Sequence, residues 1–300
     1  MTVVTGQDQI AAEETQAPKG RGFIRSLLRN RNFAIGLIIF LTVALIPVFA
    51  RMSIDPATRR TGAFPARQPP SAEAPLGTEA LGQSVYVQLT EAVPNSLQVG
   101  LIAATMGTVL GAIVGFVSGY FGGAVDTLLR ISIDVFLSVP SLLFLVLIAA
   151  LVRGVSVQSM ALIIGLFAWA WPARQVRAQV LSLKERGFVE IARLSGMSGL
   201  EIVFFELMPH MLPWLGANFV NAFIAAILAE AGLSILGLGP QGEMTLGMMI
   251  YWSNNYSAML LDLWWWWVTP VVTLILLSFS LYLIHLGFDE VSNPRMRAEG

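Results

Sequence analysis

The sequence predicts an all-helical membrane protein with six transmembrane helices. Its 300 residues are 55% hydrophobic and only 12% charged, with a mean hydropathy of +0.69. A soluble domain carries roughly a quarter of its residues as charged side chains. Several apolar stretches are also long enough to cross a bilayer at about 1.5 Å per helical residue. The formal net charge of −1 gives no reason to expect a nucleic-acid partner.

The order of polar and apolar stretches sets the predicted organisation. A polar and then basic tail, 1–32, precedes the first span, 33–50, and a Pro-rich loop, 51–95, follows it. The remaining spans form a core over 96–287, ahead of a C-terminal tail, 288–300. Within that core the predicted spans are 97–121, 131–151, 160–171, 214–236 and 264–286.

The distribution of basic residues predicts the orientation. With both termini in the cytoplasm, the cytoplasmic segments hold 13 of the 18 lysines and arginines. Such an excess of positive charge is typical of cytoplasmic loops. The sequence therefore predicts that the polar segment 188–213 lies in the cytoplasm.

The second span carries glycines at strict four-residue spacing. These are Gly107, Gly111, Gly115 and Gly119. Residues four apart share a helix face, and a stripe of small residues lets another helix approach closely. The stripe therefore predicts helix packing.

Ionisable and amide side chains are rare inside the predicted spans. Glu230 in the fifth span must face a partner group or water, because a charge in lipid is costly. Asn218 and Asn221 share that span, so all three are candidates for a translocation path or for structural hydrogen bonds. Local ion pairs are expected where the third span begins, among Asp126, Arg130 and Asp134.

The segment 188–213 begins with signals for one short helix. Ser182 and Glu185 have the S-x-x-E spacing of a capping box, which opens a helix. Gly196 is placed to adopt the left-handed conformation that closes one. The first helix is thus expected between these two signals.

A second short helix is expected directly after it. Ser198 and Glu201 repeat the capping box, and Pro209 is expected to end the helix because proline lacks an N–H. An apolar stripe on the first helix predicts a partner groove: Phe188, Ile191 and Ala192. The sequence thus predicts a helix-turn-helix within 174–212, with an interfacial loop on the lipid headgroups as the alternative.

Known catalytic and metal-binding motifs are absent from the sequence. The chain has no G-x-x-x-x-G-K-[ST] motif, so it is not expected to bind ATP and Mg²⁺ itself. It has no cysteine and only two histidines, His210 and His285, so no metal site is expected either. We therefore expect a protein that is not an enzyme and holds no cofactor.

The polar segment resembles the "EAA" loop of ABC-transporter permease subunits. The matching residues are Glu190, Ala192, Gly196 and Pro209. The departures are Ile191 at the second position and Glu206 with Met208 in place of I-x-L. The resemblance implies that the loop docks on a cytoplasmic ATPase, with candidate coupling residues Glu190, Ile191, Ala192, Gly196, Ser198, Glu201, Glu206 and Pro209.

Further segments resemble the second permease subunit of oligopeptide, dipeptide and nickel importers, the dipeptide-permease-C type. They are 76–79, 119–126, 140–143, 177–190, 230–239 and 287–295. The chain departs from that pattern at Gly82-Gln83-Ser84, where the family usually has G-R-D. The resemblance implies a type I ABC importer permease in a bacterial or archaeal cell membrane. It also implies a second permease, two ATPase subunits that bind ATP and Mg²⁺, and an extracytoplasmic substrate-binding protein as partners.

Short peptides are the substrate that the resemblance implies, and two alternatives stay open. The aromatic and amide-rich segment 241–267 also suits oligosaccharides. A different class of protein, a proton-coupled carrier, would use Glu230 and His285 without an ATPase. The segment 188–213 argues against that carrier, because a carrier does not need a helix that docks on an ATPase.

Overall fold

The computed structural model describes residues 20–152 and 154–292, which form a bundle of helices. The first part contains α1 (Gly20–Arg29), α2 (Arg31–Ser53), a 3₁₀ turn (Pro56–Arg59), α3 (Val85–Phe121), α4 (Gly123–Ser138) and α5 (Ser141–Leu151). The second part contains α6 (Val157–Phe167), α7 (Ala170–Leu183), α8 (Gly187–Leu194), α9 (Gly199–Ile235), α10 (Leu246–Asn255) and α11 (Trp264–Ser292). The described residues contain no strand, so the predicted all-helical class is confirmed.

Four described helices are long and apolar enough to cross a membrane: α2, α3, α9 and α11. The predicted third span is instead a bent pair, α4 and α5, which meet at 79° and would make a fifth span. Pro140 causes the bend, because proline lacks an N–H and forces Val139 into an extended conformation with φ −99° and ψ 132°. Six spans therefore stay a prediction.

The predicted fourth span, 160–171, is divided between two shorter helices. Helix α6 ends at Phe167 and α7 begins at Ala170. Pro172 lies in the first turn of α7. The N–H groups of a first turn have no acceptor within the helix, so the proline costs no helical hydrogen bond there. Proline thus favours a new helix start at this point over a continuous span.

The loop between α2 and α3 is shorter than the predicted 51–95, since α2 extends to Ser53 and α3 begins at Val85. The carboxylate of Glu79 stabilises the remaining loop by accepting hydrogen bonds from the backbone N–H groups of Leu81 (2.8 Å) and Gln83 (2.9 Å). The indole N–H of Trp265 donates to the carbonyl of Thr78, which ties the loop to the start of α11. At and beside residues 82–84, where the chain departs from the family pattern, backbone N–H groups therefore provide the hydrogen-bond donors for the carboxylate of Glu79.

The glycine stripe lies where α3 contacts the polypeptide from the end of α6 through α7. A β-carbon placed on Gly115 would lie 2.6 Å from Cβ of Val176 and 2.8 Å from the carbonyl oxygen of Ala173. The other glycines meet Ala168, Pro172 and Val180 at 2.6–2.8 Å in the same way. Two rows with four-residue spacing therefore face each other, which is the close approach that the glycine spacing predicts.

The acidic residues of α4 form ion pairs with α7 and not with Arg130, which corrects the predicted local pairs. Asp126 accepts hydrogen bonds from Nε (2.6 Å) and Nη2 (2.7 Å) of Arg177. Asp134 lies 2.6 Å from Nη2 of Arg174. The planar guanidinium of Arg177 forms two parallel N–H···O bonds with the carboxylate of Asp126. This bidentate geometry is stronger than a single contact with a helical neighbour at i+4. These pairs hold α4 against α7.

Candidate functional site

A cleft of about 570 Å³ lies between the α4–α5 bend, the α6–α7 break and α9. Its walls are mostly apolar, and no residue that lines it among those described has a charged side chain. The polar exceptions include Ser141, Asn218 and Asn221. The cleft is also lined by small side chains of α9: Ala222, Ala225, Ala226 and Ala229.

The two asparagines give this cleft its chemistry. Asn218 is half-buried and Asn221 is exposed, and both belong to α9. A side-chain amide both donates and accepts hydrogen bonds, so it can pair with a neutral polar group such as a peptide bond. The cleft can therefore contact a polar solute without selecting for its charge.

Glu230 lies outside the cleft, in a separate and fully buried polar cluster. One carboxylate oxygen accepts hydrogen bonds from the hydroxyls of Ser234 (2.7 Å) and Thr245 (2.6 Å). The other accepts from the hydroxyl of Ser96 at 3.1 Å. These contacts join α3, α9 and the start of α10, which supports the structural role among the two predicted for Glu230.

His285 has its own partners on α9 and α11. Its Nδ1–H donates to the carbonyl of Ala217 at 3.0 Å, and its Nε2 lies 3.3 Å from a carboxylate oxygen of Asp289. In the described part of the chain, no hydrogen bond joins His285 to Glu230. Glu230 and His285 therefore belong to separate hydrogen-bonded groups.

The connection between α8 and α9 has the local geometry that the sequence signals predict. Gly196 has a left-handed φ of +83°, and the N–H of Met197 donates to the carbonyl of Ala192 at 3.2 Å. Ser198 and Glu201 form the reciprocal capping box, with the Ser198 N–H donating to the Glu201 carboxylate at 2.7 Å. Both caps are therefore confirmed.

Two other predicted helix ends are wrong. Ser182 lies within α7, and α8 begins after Arg186 without a side-chain cap, so Ser182 and Glu185 form no capping box. Pro209 does not end the second helix, because α9 continues from Gly199 to Ile235. A π-helical segment, Ile202–Leu207, precedes the proline, and such wider turns accommodate a missing N–H.

Helix α8 packs one face on the bundle and leaves another face exposed. Val189 is fully buried and Ala192 is 6% exposed, so Ala192 does not belong to an outward stripe as predicted. Ile191 and Leu194 are 66% and 82% exposed. Phe188 stacks on His210 with ring centroids 4.7 Å apart. The outward apolar surface is therefore Ile191 with Leu194.

The remaining candidate residues lie around the same turn. Glu190 is exposed on α8. The backbone carbonyl of Glu206 accepts a hydrogen bond from the Nδ1–H of His210 at 2.6 Å. Sequence reasoning missed Arg193, whose guanidinium carbon lies 5.7 Å from the ring centre of Tyr120, and Lys184, whose amino group donates to the carbonyl of Gly119. Arg193 ties α8 to the end of α3, Lys184 ties the end of α7 to the same place, and neither contact has a local sequence signal.

The fold and the cleft together define a multi-pass helical membrane protein. A family model described as "binding-protein-dependent transport system inner membrane component" matches residues 107–298. A putative peptide transport system permease protein of Brucella suis is 33% identical over 279 residues, 92% of each chain. The dipeptide transport system permease protein DppC of Alkalihalophilus pseudofirmus is 30% identical over 273 residues, 91% of this chain and 86% of that one.

A solved structure of the inward-facing MetNI methionine ABC transporter matches with a TM-score of 0.54 and 21% identity. The match covers 68% of this chain and 94% of that one, and it shows a shared fold. The chain belongs to the family of binding-protein-dependent transport system inner membrane components, and it is similar to peptide and dipeptide permeases. The predicted family is thereby confirmed. These relatives give the oligosaccharide alternative no support.

Proposed function

We propose that this chain is a permease subunit of an ATP-driven importer of short peptides. The main support for the proposal is the pair Ile191 and Leu194, which are exposed on α8 within a polar segment. The capped α8–α9 turn follows them directly. Exposed apolar side chains rimmed by polar residues are found at protein and membrane contact sites. The names of the relatives support peptides as the substrate.

In this proposal the cleft beside α9 forms half of the path, and a second permease provides the other half. The amides of Asn218 and Asn221 would contact peptide bonds in passing, while apolar walls tolerate varied side chains. The coupling turn faces the cytoplasm together with both termini, and two ATPase subunits hold ATP and Mg²⁺. A substrate-binding protein delivers peptide from the other side of the cell membrane.

The proposed coupling predicts a graded effect of substitutions at Gly196. A β-carbon there meets nothing within 4 Å, so its cost is the left-handed backbone and not a clash. Gly196→Val should weaken uptake about tenfold, because a left-handed conformation costs an L-residue about 1–2 kcal/mol. Gly196→Asn should be milder, since asparagine tolerates that conformation.

The measurement is peptide-stimulated ATPase activity and uptake by the reconstituted complex. A loss of uptake in Gly196→Val that exceeds any loss of ATP hydrolysis is expected. If the valine and asparagine variants both coupled ATP hydrolysis to uptake as well as the parent does, docking through this turn would be contradicted. Gly242→Val is the matched control, because that loop glycine has open space and no positive φ.

The energy source gives a second test. Proteoliposomes that contain the complex and internal ATP should take up peptide when a protonophore collapses the proton gradient. Vesicles that lack the ATPase subunits should not. Uptake that stops with the protonophore, or that proceeds without the ATPase subunits, would instead support the carrier that uses Glu230 and His285.

A further inference from the structure

Helix α1 combines arginines with large apolar side chains over only ten residues, Gly20–Arg29. Its sequence, GRGFIRSLLR, contains three arginines and no acidic residue. A short basic amphipathic helix of this composition is typical of segments that lie on a membrane surface. No residue of α1 is among the described residues that line the cleft.

One face of α1 is fixed to the bundle. Leu27 is 7% exposed, and the ring of Phe23 lies 6.2 Å from that of Phe288 on α11. At the α1–α2 junction, the side-chain amides of Asn30 and Asn32 each donate to the carboxylate of Glu290 at 2.6 Å. The junction with α2 is therefore clamped, and the orientation of α1 is set.

The opposite face of α1 has no partner in the described structure. Ile24 and Leu28, one helical turn apart, are 60% and 57% exposed. Arg25 and Arg29 are also exposed and one turn apart, so the two pairs form adjacent rows. An apolar row beside a cationic row matches acyl chains beside phosphate groups.

The position of α1 indicates that a lipid surface covers its exposed face. Asn30 alone separates α1 from the membrane span α2, whose Ile35 and Ile38 are 51% and 64% exposed and so suit contact with acyl chains. Helix α1 therefore lies at the boundary of the bilayer. There its arginines are placed to meet headgroups, and anionic lipids attract such residues.

We infer that α1 binds anionic phospholipid, with Ile24 and Leu28 inserted among acyl chains and Arg25 and Arg29 on the phosphates. The geometry makes α1 an interfacial anchor that holds the end of α2 at a fixed depth. This inference stands whatever solute the cleft carries.

The test uses the absence of cysteine from the chain. A nitroxide label on the single cysteine of Leu28→Cys reports whether α1 contacts lipid or water, through its accessibility to oxygen and to a water-soluble relaxation agent. The full chain is placed in nanodiscs of phosphatidylcholine alone or with phosphatidylglycerol. We expect a lipid-exposed label in discs with phosphatidylglycerol.

Arg25→Gln with Arg29→Gln should shift the label toward water about thirtyfold in these discs. The matched control is Arg60→Gln with Arg67→Gln, which removes the same charge from exposed positions of the loop between α2 and α3 and should leave the label unchanged. A thermal melt confirms that the variants remain folded.

Four results would overturn the inference. The label could be water-exposed in both lipids, or it could be insensitive to Arg25 and Arg29. It could also become shielded only when ATPase subunits are added, which would make this face of α1 a protein interface. Equal lipid exposure in discs with and without phosphatidylglycerol would show that the arginines do not recognise anionic headgroups, and this too would refute it.

Discussion

Replacing Glu230 with leucine is expected to destabilise the protein by about 3 kcal/mol or more, since each buried hydroxyl left without a partner costs about 1–3 kcal/mol. The carboxylate is fully buried and accepts from Ser96, Ser234 and Thr245. Glutamine keeps an oxygen that can accept two of these bonds, so Glu230→Gln should be milder. Thermal unfolding of the purified chain in detergent measures both variants.

A double-mutant cycle separates hydrogen bonding from packing. Ser234→Ala removes one donor along with its hydrogen bond to Glu230. Glu230→Leu should therefore cost less in the Ser234→Ala background than in the parent. Glu73→Leu, which removes an exposed carboxylate, is the control and should be nearly neutral. Strict additivity of the two buried substitutions would contradict the structural role of Glu230.

Alanine at Gly115 is expected to force α3 away from α7 and to lower stability by about 1–3 kcal/mol, the usual cost of overpacking. The added methyl would approach Cβ of Val176 to 2.6 Å and a backbone oxygen to 2.8 Å. Gly111→Ala should behave alike, with Cβ 2.6 Å from that of Pro172. Leucine at either position should prevent α3 from packing on α7 within the subunit.

Gly232 provides a matched control for these substitutions because it also lies within a long helix, α9. A β-carbon on Gly232 meets nothing within 4 Å. Gly232→Ala should therefore be neutral or stabilise the protein by about 0.5–1 kcal/mol through helix propensity. If alanine at 115 and at 232 had the same effect on the unfolding temperature, the packing argument would fail.

Two signals that act within one turn were predicted well from the sequence, whereas a third, the Ser182–Glu185 box, is not formed. Gly196 and the Ser198–Glu201 box depend on atoms within a few residues, and the structure has both. The glycine spacing also predicted a contact, although it did not identify α7 as the partner. Contacts of this kind involve residues far apart in the chain.

The error at Asp126 arose where a distant group decided the outcome. Asp126 could pair locally with Arg130, but Arg177 lies across from it and offers a bidentate geometry. Pro209 is a helix terminator in isolation, whereas a π-helical segment lets α9 continue past it. The cleft required Pro140, Pro172 and Asn221 to come together, which no local pattern encodes.

The continuity of α9 through Pro209 has a mechanical consequence. Its 37 residues make a rod about 55 Å long, with the α8–α9 turn at one end and the Glu230 cluster near the other. A tilt of about 5° around the midpoint of such a rod displaces each end by roughly 2.4 Å in opposite directions. If an ATPase docks on Ile191 and Leu194 as proposed, a movement of the α8–α9 turn would pass along α9, by way of Asn218 and Asn221, to the Glu230 cluster.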